Sequence, residues 1–294
     1  MSKIIFKKVA FIGMGLIASS MARSMRELGI VDKIVAAVRS EETMRVSLEL
    51  GLVNEAYNNI SKAVTNADLV VIAIPLGGYE DVFKELSMNL DSNAVITDVG
   101  SVKQTTVDIA KKYLGSLDMF VPGHPIAGTE HSGPRSGFSE LFHNRWTILT
   151  PSENTNKSAV EKIKNIWMLM GSSVDIMTPQ HHDIVLAITS HLPHLIAYTI
   201  VGTATDLEED LRQEVIKYSA SGFRDFTRIA ASDPVMWRDI FMSNKDATLN
   251  MLQRFSEDLT ALQRAIRYDE GEKLEKLFAR TRKIRRGIIE ANQA

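Results

Sequence analysis

The 294-residue chain has no cysteine, which excludes disulfides, thiolate nucleophiles and cysteine-ligated zinc or iron–sulfur centres. It also lacks an excess of either charge. Thirty-four lysines and arginines face 36 acidic residues, for a formal net charge of −2, so the strongly basic balance of a nucleic-acid binder is missing and no nucleic-acid partner is expected. Uninterrupted apolar stretches are short. The longest, LVVIAIPL from Leu69 to Leu76, falls far short of the ~20 residues that cross a bilayer as a helix. The N-terminal MSKIIFKKVAFIG has basic residues but no small-residue cleavage pattern, and its apolar part runs into a glycine turn, so it reads as a first strand and not as a signal. A cytoplasmic protein with no membrane-spanning segment is expected.

Hydrophobic residues make up 45% and charged residues 24% of the chain, the balance of an ordinary protein with packed cores. Its length suits two domains of ~100–200 residues each. From Val9 to about Ile176, short β-rich runs alternate with helical stretches, which implies crossover connections and a largely parallel sheet. The predicted strands are Val9–Ile12, Ile34–Val38, Leu69–Ile74, Ala94–Val99, Met119–Pro122 and Trp146–Leu149, with helices at Ser61–Ala67, Gly78–Leu90 and Lys103–Leu114. Strands as apolar as LVVIAI belong in a sheet covered on both faces. The expected fold is α/β: a Rossmann-type, doubly wound domain over residues 1–177, then an all-α domain over 178–294, where apolar residues recur at helical spacing. Lys245–Tyr268 and Glu270–Asn292 read as amphipathic helices, and the basic run Arg280–Arg286 as a solvated helix face.

The first strand runs into GMGLIAS, where Gly13, Gly15 and Ala18 fit the dinucleotide-binding form G-x-G-x-x-G/A. Gly13 allows the tight turn, Gly15 lets the backbone approach a pyrophosphate, and Ala18 permits close packing of helix on strand. Gly13, Met14, Gly15, Leu16 and Ile17 are therefore the candidate phosphate-side contacts, made at a helix N-terminus whose free N–H groups suit an anion. The second strand ends AAVRSEE. Val38 stands where an NAD enzyme usually has its ribose-binding acid, and Arg39 and Ser40 follow, which leans towards the 2′-phosphate of NADP. Glu41 and Glu42 lie near enough to reach a free ribose, so NAD stays open.

Four further blocks complete the pattern: DVGSVK (Asp98–Lys103), GHPIAGTEHSG (Gly123–Gly133), HHDIVLAITSHLPH (His181–His194) and SGFRDFTRIAASDPVMWRDIF (Ser221–Phe241). With GMGLIAS, and in this order, they closely resemble the prephenate and arogenate (cyclohexadienyl) dehydrogenase family. The resemblance implies a Rossmann domain followed by a helical, dimer-forming domain, and a small-molecule substrate whose ring becomes aromatic as hydride leaves for NAD(P)+ and a carboxylate leaves as carbon dioxide. It implies that His124 accepts the proton of the ring hydroxyl, and that Ser101 orients this histidine and the nicotinamide. Thr129 and Glu130 are implied in substrate contact or access, His194 and Arg228 in holding substrate carboxylates, and Trp237 in walling the pocket. Arg224 and Asp225 either support Arg228 or sit at a dimer interface; for these two and for Trp237, packing or surface salt bridging is an equal alternative. Ser221 before Gly222 departs from the family's common double glycine. The appended chorismate mutase or ACT domain of some relatives is expected to be absent.

Read without the family, several of these residues have plainer roles. Ser101 is equally a helix N-cap, and His124, standing alone, reads first as a loop histidine with a structural hydrogen bond. Asp183 either fixes the tautomer of a neighbouring histidine ring or is a solvated helix acid. His191 and His194, with His181 and His182, have a spacing that a metal could use, but hydride transfer to a nicotinamide needs no metal and none is expected. His191 reads as structural. Two rivals remain: a hydroxyacid-type dehydrogenase with Lys103 as its catalytic lysine, and a non-catalytic nucleotide-binding sensor. Neither accounts for HPIAGTE and SHLPH together.

Overall fold

The computed structural model describes residues 4–90, 93–129, 131–206, 214, 217–218 and 220–290. Six strands, β1 (Phe6–Ile12), β2 (Val31–Ala37), β3 (Glu55–Tyr57), β4 (Leu69–Ile72), β5 (Val95–Asp98) and β6 (Phe120–Val121), form one sheet in the order β3-β2-β1-β4-β5-β6. Every pairing in it is parallel. Helices α1 (Leu16–Glu27), α2 (Glu41–Glu49), α3 (Ile60–Val64), α4 (Tyr79–Asn89) and α5 (Gln104–Leu114) make the crossovers. Alternate residues of β1 feed two separate cores. Val9 and Phe11 pack with Met21 and Met25 of α1, and with Trp167 of α6 (Lys157–Leu169); Ala10 and Ile12 pack with Tyr79, Phe83 and Leu86 of α4. A sheet buried on both faces is what its apolar strands require. The order reverses between β1 and β4, and this switch point is where such sheets bind ligands.

One expected strand belongs elsewhere. Trp146–Leu149 (β8) lies in a second sheet, antiparallel to β7 (Gly123–Pro125) and parallel to β9 (Ser173–Ile176). A short apolar run specifies a strand but not its partner. Beyond β9 the described residues form helices and turns: α7 (Pro179–Leu186), a π turn (Ala187–His191), α8 (Leu192–Thr205), α9 (Ser221–Thr227), a 3₁₀ turn (Arg228–Ala231), α10 (Pro234–Ser243), α11 (Lys245–Arg267) and α12 (Gly271–Glu290). By contacts the chain divides into two compact units, Met1–Lys245 and Asp246–Ala294. The continuous helix Pro179–Thr205 is, by length and mean hydropathy, able to cross a membrane, a property that counting uninterrupted apolar residues passes over. Its charged residue Asp183 is nonetheless bonded to the backbone at the start of α5, as suits a helix packed on a folded domain better than one in lipid.

Candidate active site

Gly13 ends β1 at φ +91°, and a Cβ there would lie 2.4 Å from the carbonyl oxygen of Ala73. Only glycine lets the ends of β1 and β4 come this close. Gly15 caps α1, whose first turn has no acidic residue, and a Cβ on it would meet nothing within 4 Å. The N–H groups of that turn, flanked by half-buried Leu16 and Ile17 over buried Met14 and Ala18, form a cradle that fits a dinucleotide pyrophosphate. At the end of β2, Val38 is buried, and Arg39 and Ser40 are exposed. The Ser40 hydroxyl accepts from the Thr43 N–H at 3.3 Å and caps α2. Arg39, Glu41, Arg45 and Asn58 line a cavity of about 520 Å³.

Below the switch point, three buried side chains join in line. His124 Nδ1 lies 2.8 Å from His182 Nε2, and His182 Nδ1 lies 2.7 Å from Asp183 Oδ1. The carboxylate can only accept, so His182 carries its proton on Nδ1 and presents a lone pair at Nε2; His124 then donates from Nδ1, and its Nε2 is bare. Burial holds His124 well below the usual imidazole pKa, and the neighbouring His182, Lys103 and His191 push it the same way. The ring is neutral, with an unprotonated nitrogen, at neutral pH.

Asp183 also caps α5. Its Oδ1 accepts from the Lys103 N–H at 2.8 Å and its Oδ2 from the Gln104 N–H at 2.9 Å. Ser101, half-buried in the β5–α5 connection, is therefore not the cap. The Lys103 side chain is fully buried, donating to Asp98 Oδ2 at 2.5 Å and to the Gly123 carbonyl at 2.7 Å. It acts as a structural pin beneath β5 and β7, which removes it as a catalytic lysine.

The π turn accommodates one extra residue in the helix and brings His191 to the side of Asp183. Asn244 Nδ2 donates to both the Asp183 carbonyl, at 2.8 Å, and His191 Nδ1, at 3.1 Å. The proton of His191 is thereby left on Nε2, which is buried and without an acceptor among the described residues, as is Trp237 Nε1. Burial lowers the His191 pKa to about 4. His194 donates from Nδ1 to the Ser190 carbonyl at 2.8 Å and stacks on Trp237 with ring centroids 3.7 Å apart. Burial lowers its pKa against the pull of that bond, and the charge of Arg228 lowers it further. Arg228 opens the 3₁₀ turn that packs on α8 and is exposed in the single chain. Trp237 packs with Val102, next to Ser101. Thr129 is exposed, its hydroxyl accepting from the His131 N–H at 3.3 Å. Arg224 and Asp225 are exposed on α9, and Glu130 lies outside the described residues.

The family profile of the prephenate dehydrogenase nucleotide-binding domain matches residues 21–176, and that of the prephenate dehydrogenase dimerization domain matches residues 178–280. The chain belongs to the prephenate dehydrogenase family. Along the whole chain, this prephenate dehydrogenase family member is similar to the cyclohexadienyl dehydrogenase of Zymomonas mobilis, at 38% identity over 96% of each chain. It is 35% identical to the prephenate dehydrogenase of Bacillus subtilis over 94% of this chain and 74% of that one. In structure it is similar to prephenate dehydrogenase from A. aeolicus solved with hydroxyphenyl propionate and NAD+, with a TM-score of 0.90 at 34% identity, covering 96% of this chain and 98% of that one. As a member of this family the chain is an oxidoreductase with a nicotinamide-cofactor domain.

Sequence reasoning about this prephenate dehydrogenase family member passed over His182 as a partner of His124. The two lie 58 residues apart, and no local spacing connects them. The available signal was an ionisable pair, His182 and Asp183, inside a helix otherwise rich in apolar residues.

Proposed function

We propose that this chain oxidatively decarboxylates prephenate to 4-hydroxyphenylpyruvate, arogenate to tyrosine, or both, in tyrosine biosynthesis in the cytoplasm. The observation that carries this reading is the neutral, buried His124, whose Nδ1 proton is committed to His182 and whose Nε2 is free to take the proton of a ring hydroxyl. The bound nicotinamide supplies a hydride acceptor for the hydroxyl-bearing carbon as the ring carboxylate leaves, and aromatisation drives the step. The protein contributes position and electrostatics. Residues 1–177 hold the cofactor and 178–294 bring substrate contacts and the dimer interface. A homodimer is supported by the dimerization-domain match and by the exposed Ile184, Ile188 and Ile200 on the helix Pro179–Thr205. Assays of prephenate and arogenate with NAD+ and NADP+, followed by nicotinamide absorbance, test the reading; no turnover in any combination overturns it.

On the substrate side, Arg228 and His194 anchor a carboxylate, Trp237 walls the pocket and Thr129 contacts the substrate or controls access; Ser101 orients His124 and the nicotinamide. Charge-assisted hydrogen bonds are worth ~1.5–3 kcal/mol each, so Arg228→Ala raises the apparent substrate constant at least ~tenfold. Arg228→Lys recovers only part, because an ammonium restores the charge without the planar fork. Steady-state kinetics beside a thermal melt decide: a folded alanine variant with an unchanged substrate constant sinks the assignment.

NADP is the preferred cofactor in this reading, since buried Val38 offers no ribose-binding acid and Arg39 and Arg45 line one cavity. Arg39→Asp then weakens NADP+ binding more than NAD+ binding, because a carboxylate repels a 2′-phosphate and bonds a free ribose. Titration of both cofactors against both proteins checks this. An unchanged ratio of affinities means that Arg39 does not read the phosphate.

A further inference from the structure

The capping of α5 explains Asp183 but not His182. A carboxylate that binds the Lys103 and Gln104 N–H groups needs no imidazole beside it. His182 is fully buried, and an apolar side chain there would avoid the cost of dehydrating a polar ring. What the imidazole adds is a two-ended link: it donates to Asp183 and accepts from His124. Only one assignment of protons satisfies that chain when its far end is a carboxylate already holding two backbone donors. The two rings meet edge to face, with centroids 5.1 Å apart, so His182 also restricts rotation of the His124 ring.

We infer that His182, backed by Asp183, is a positioning residue for the reaction: it keeps the proton of His124 on Nδ1 and leaves Nε2 bare for the substrate hydroxyl. The inference rests on the proposed reaction. When Nε2 takes the hydroxyl proton, the resulting imidazolium keeps its Nδ1–H bond to His182, and no proton passes on to Asp183. The link orients the ring and steadies its charge. Without it, His124 divides between two tautomers and two ring orientations, of which one combination is productive.

The test uses the full-length wild type with His182→Leu and His182→Gln. Glutamine places an amide oxygen about where Nε2 accepts, and leucine places nothing polar there. ¹⁵N NMR of the ligand-free wild type is expected to show His124 protonated at Nδ1 and bare at Nε2, and the same in the glutamine variant. In kinetics, His182→Leu lowers kcat by on the order of tenfold to a hundredfold, at unchanged KM and cofactor affinity, and His182→Gln recovers most of the loss. A merely structural role lowers the melting temperature without this split or this rescue. If the wild-type spectrum shows His124 protonated at Nε2, or a folded leucine variant keeps its kcat, the inference is overturned. If the leucine variant does not fold, the spectra of wild type and glutamine variant decide. A wild type inert on both substrates overturns the proposed reaction, and with it this role, while the spectrum still tests the tautomer by itself.

Discussion

His124→Asn binds NAD(P)+ as the wild type does and turns over substrate at least ~100-fold more slowly, the loss expected for a positioned general base. The substitution is selective for a geometric reason. An asparagine amide nitrogen stands close to where Nδ1 stood and still donates to His182 Nε2, so the buried chain to Asp183 stays closed, but nothing replaces Nε2. Fold and cofactor site are spared, and the base is removed. The pH dependence follows from the direction of the His124 shift. A base works when unprotonated, so kcat/KM rises with pH through its pKa and is flat above it. Burial and the neighbouring His182, Lys103 and His191 hold that pKa well below the ordinary 6.5, so the rise falls on the acid side of 6.5 and the plateau is already reached near neutrality. Near-normal turnover in the variant, or an activity limb centred above 7, takes His124 out of the mechanism.

Asp98→Ala destabilises the protein by about 3–5 kcal/mol, the usual consequence of stranding one member of a buried ion pair. The two partners are not equal. Asp98 receives four donors: Lys103 Nζ, the Tyr79 hydroxyl at 3.0 Å, and the N–H groups of Gly100 and Gly123 at 2.8 and 3.1 Å. Lys103 Nζ has two acceptors, Asp98 and the Gly123 carbonyl. Removing the carboxylate therefore leaves an ammonium with one carbonyl and several unpaired donors, whereas Lys103→Met leaves a carboxylate that keeps three. Burial already lowers the Lys103 pKa despite the attraction of Asp98, and losing that attraction favours the neutral amine further, which limits the loss. Thermal melts should rank wild type above Lys103→Met and Lys103→Met above Asp98→Ala. Equal melting of all three shows that the pair does not hold β5 to β7.

The elements that chemistry marks locally were legible in the sequence. Gly13, Gly15 and Ala18 mark the turn from β1 into α1, and at Gly13 the close approach of β1 and β4 leaves no room for a side chain. The helices predicted at Gly78–Leu90 and Lys103–Leu114 fall within one residue of those observed. What could not be read is what depends on distant partners. Nothing in Trp146–Leu149 says that it joins β7 and not the main sheet, and the three-residue edge strand Glu55–Tyr57 has no apolar signature. His124 stands out in the sequence by its motif, but its link to His182 bridges 58 residues and reaches the sequence only as a buried polar pair. The π turn was also hidden. Spacing treats His191 and His194 as neighbours on a regular helix, yet the extra residue turns His191 towards Asn244 and Asp183, while His194 lies on Trp237.

The pair of imidazoles is divided along the chain, with His124 contributed by β7 and His182 by the later helix α7. A nascent polypeptide has all six parallel strands before His182, the residue proposed to orient His124, is synthesised. The two N–H groups at the head of α5 find their side-chain acceptor, Asp183, only with α7. On the proposed roles, a fragment clipped ahead of Pro179 lacks His182, Asp183, His194 and Arg228 together and is expected to show no turnover.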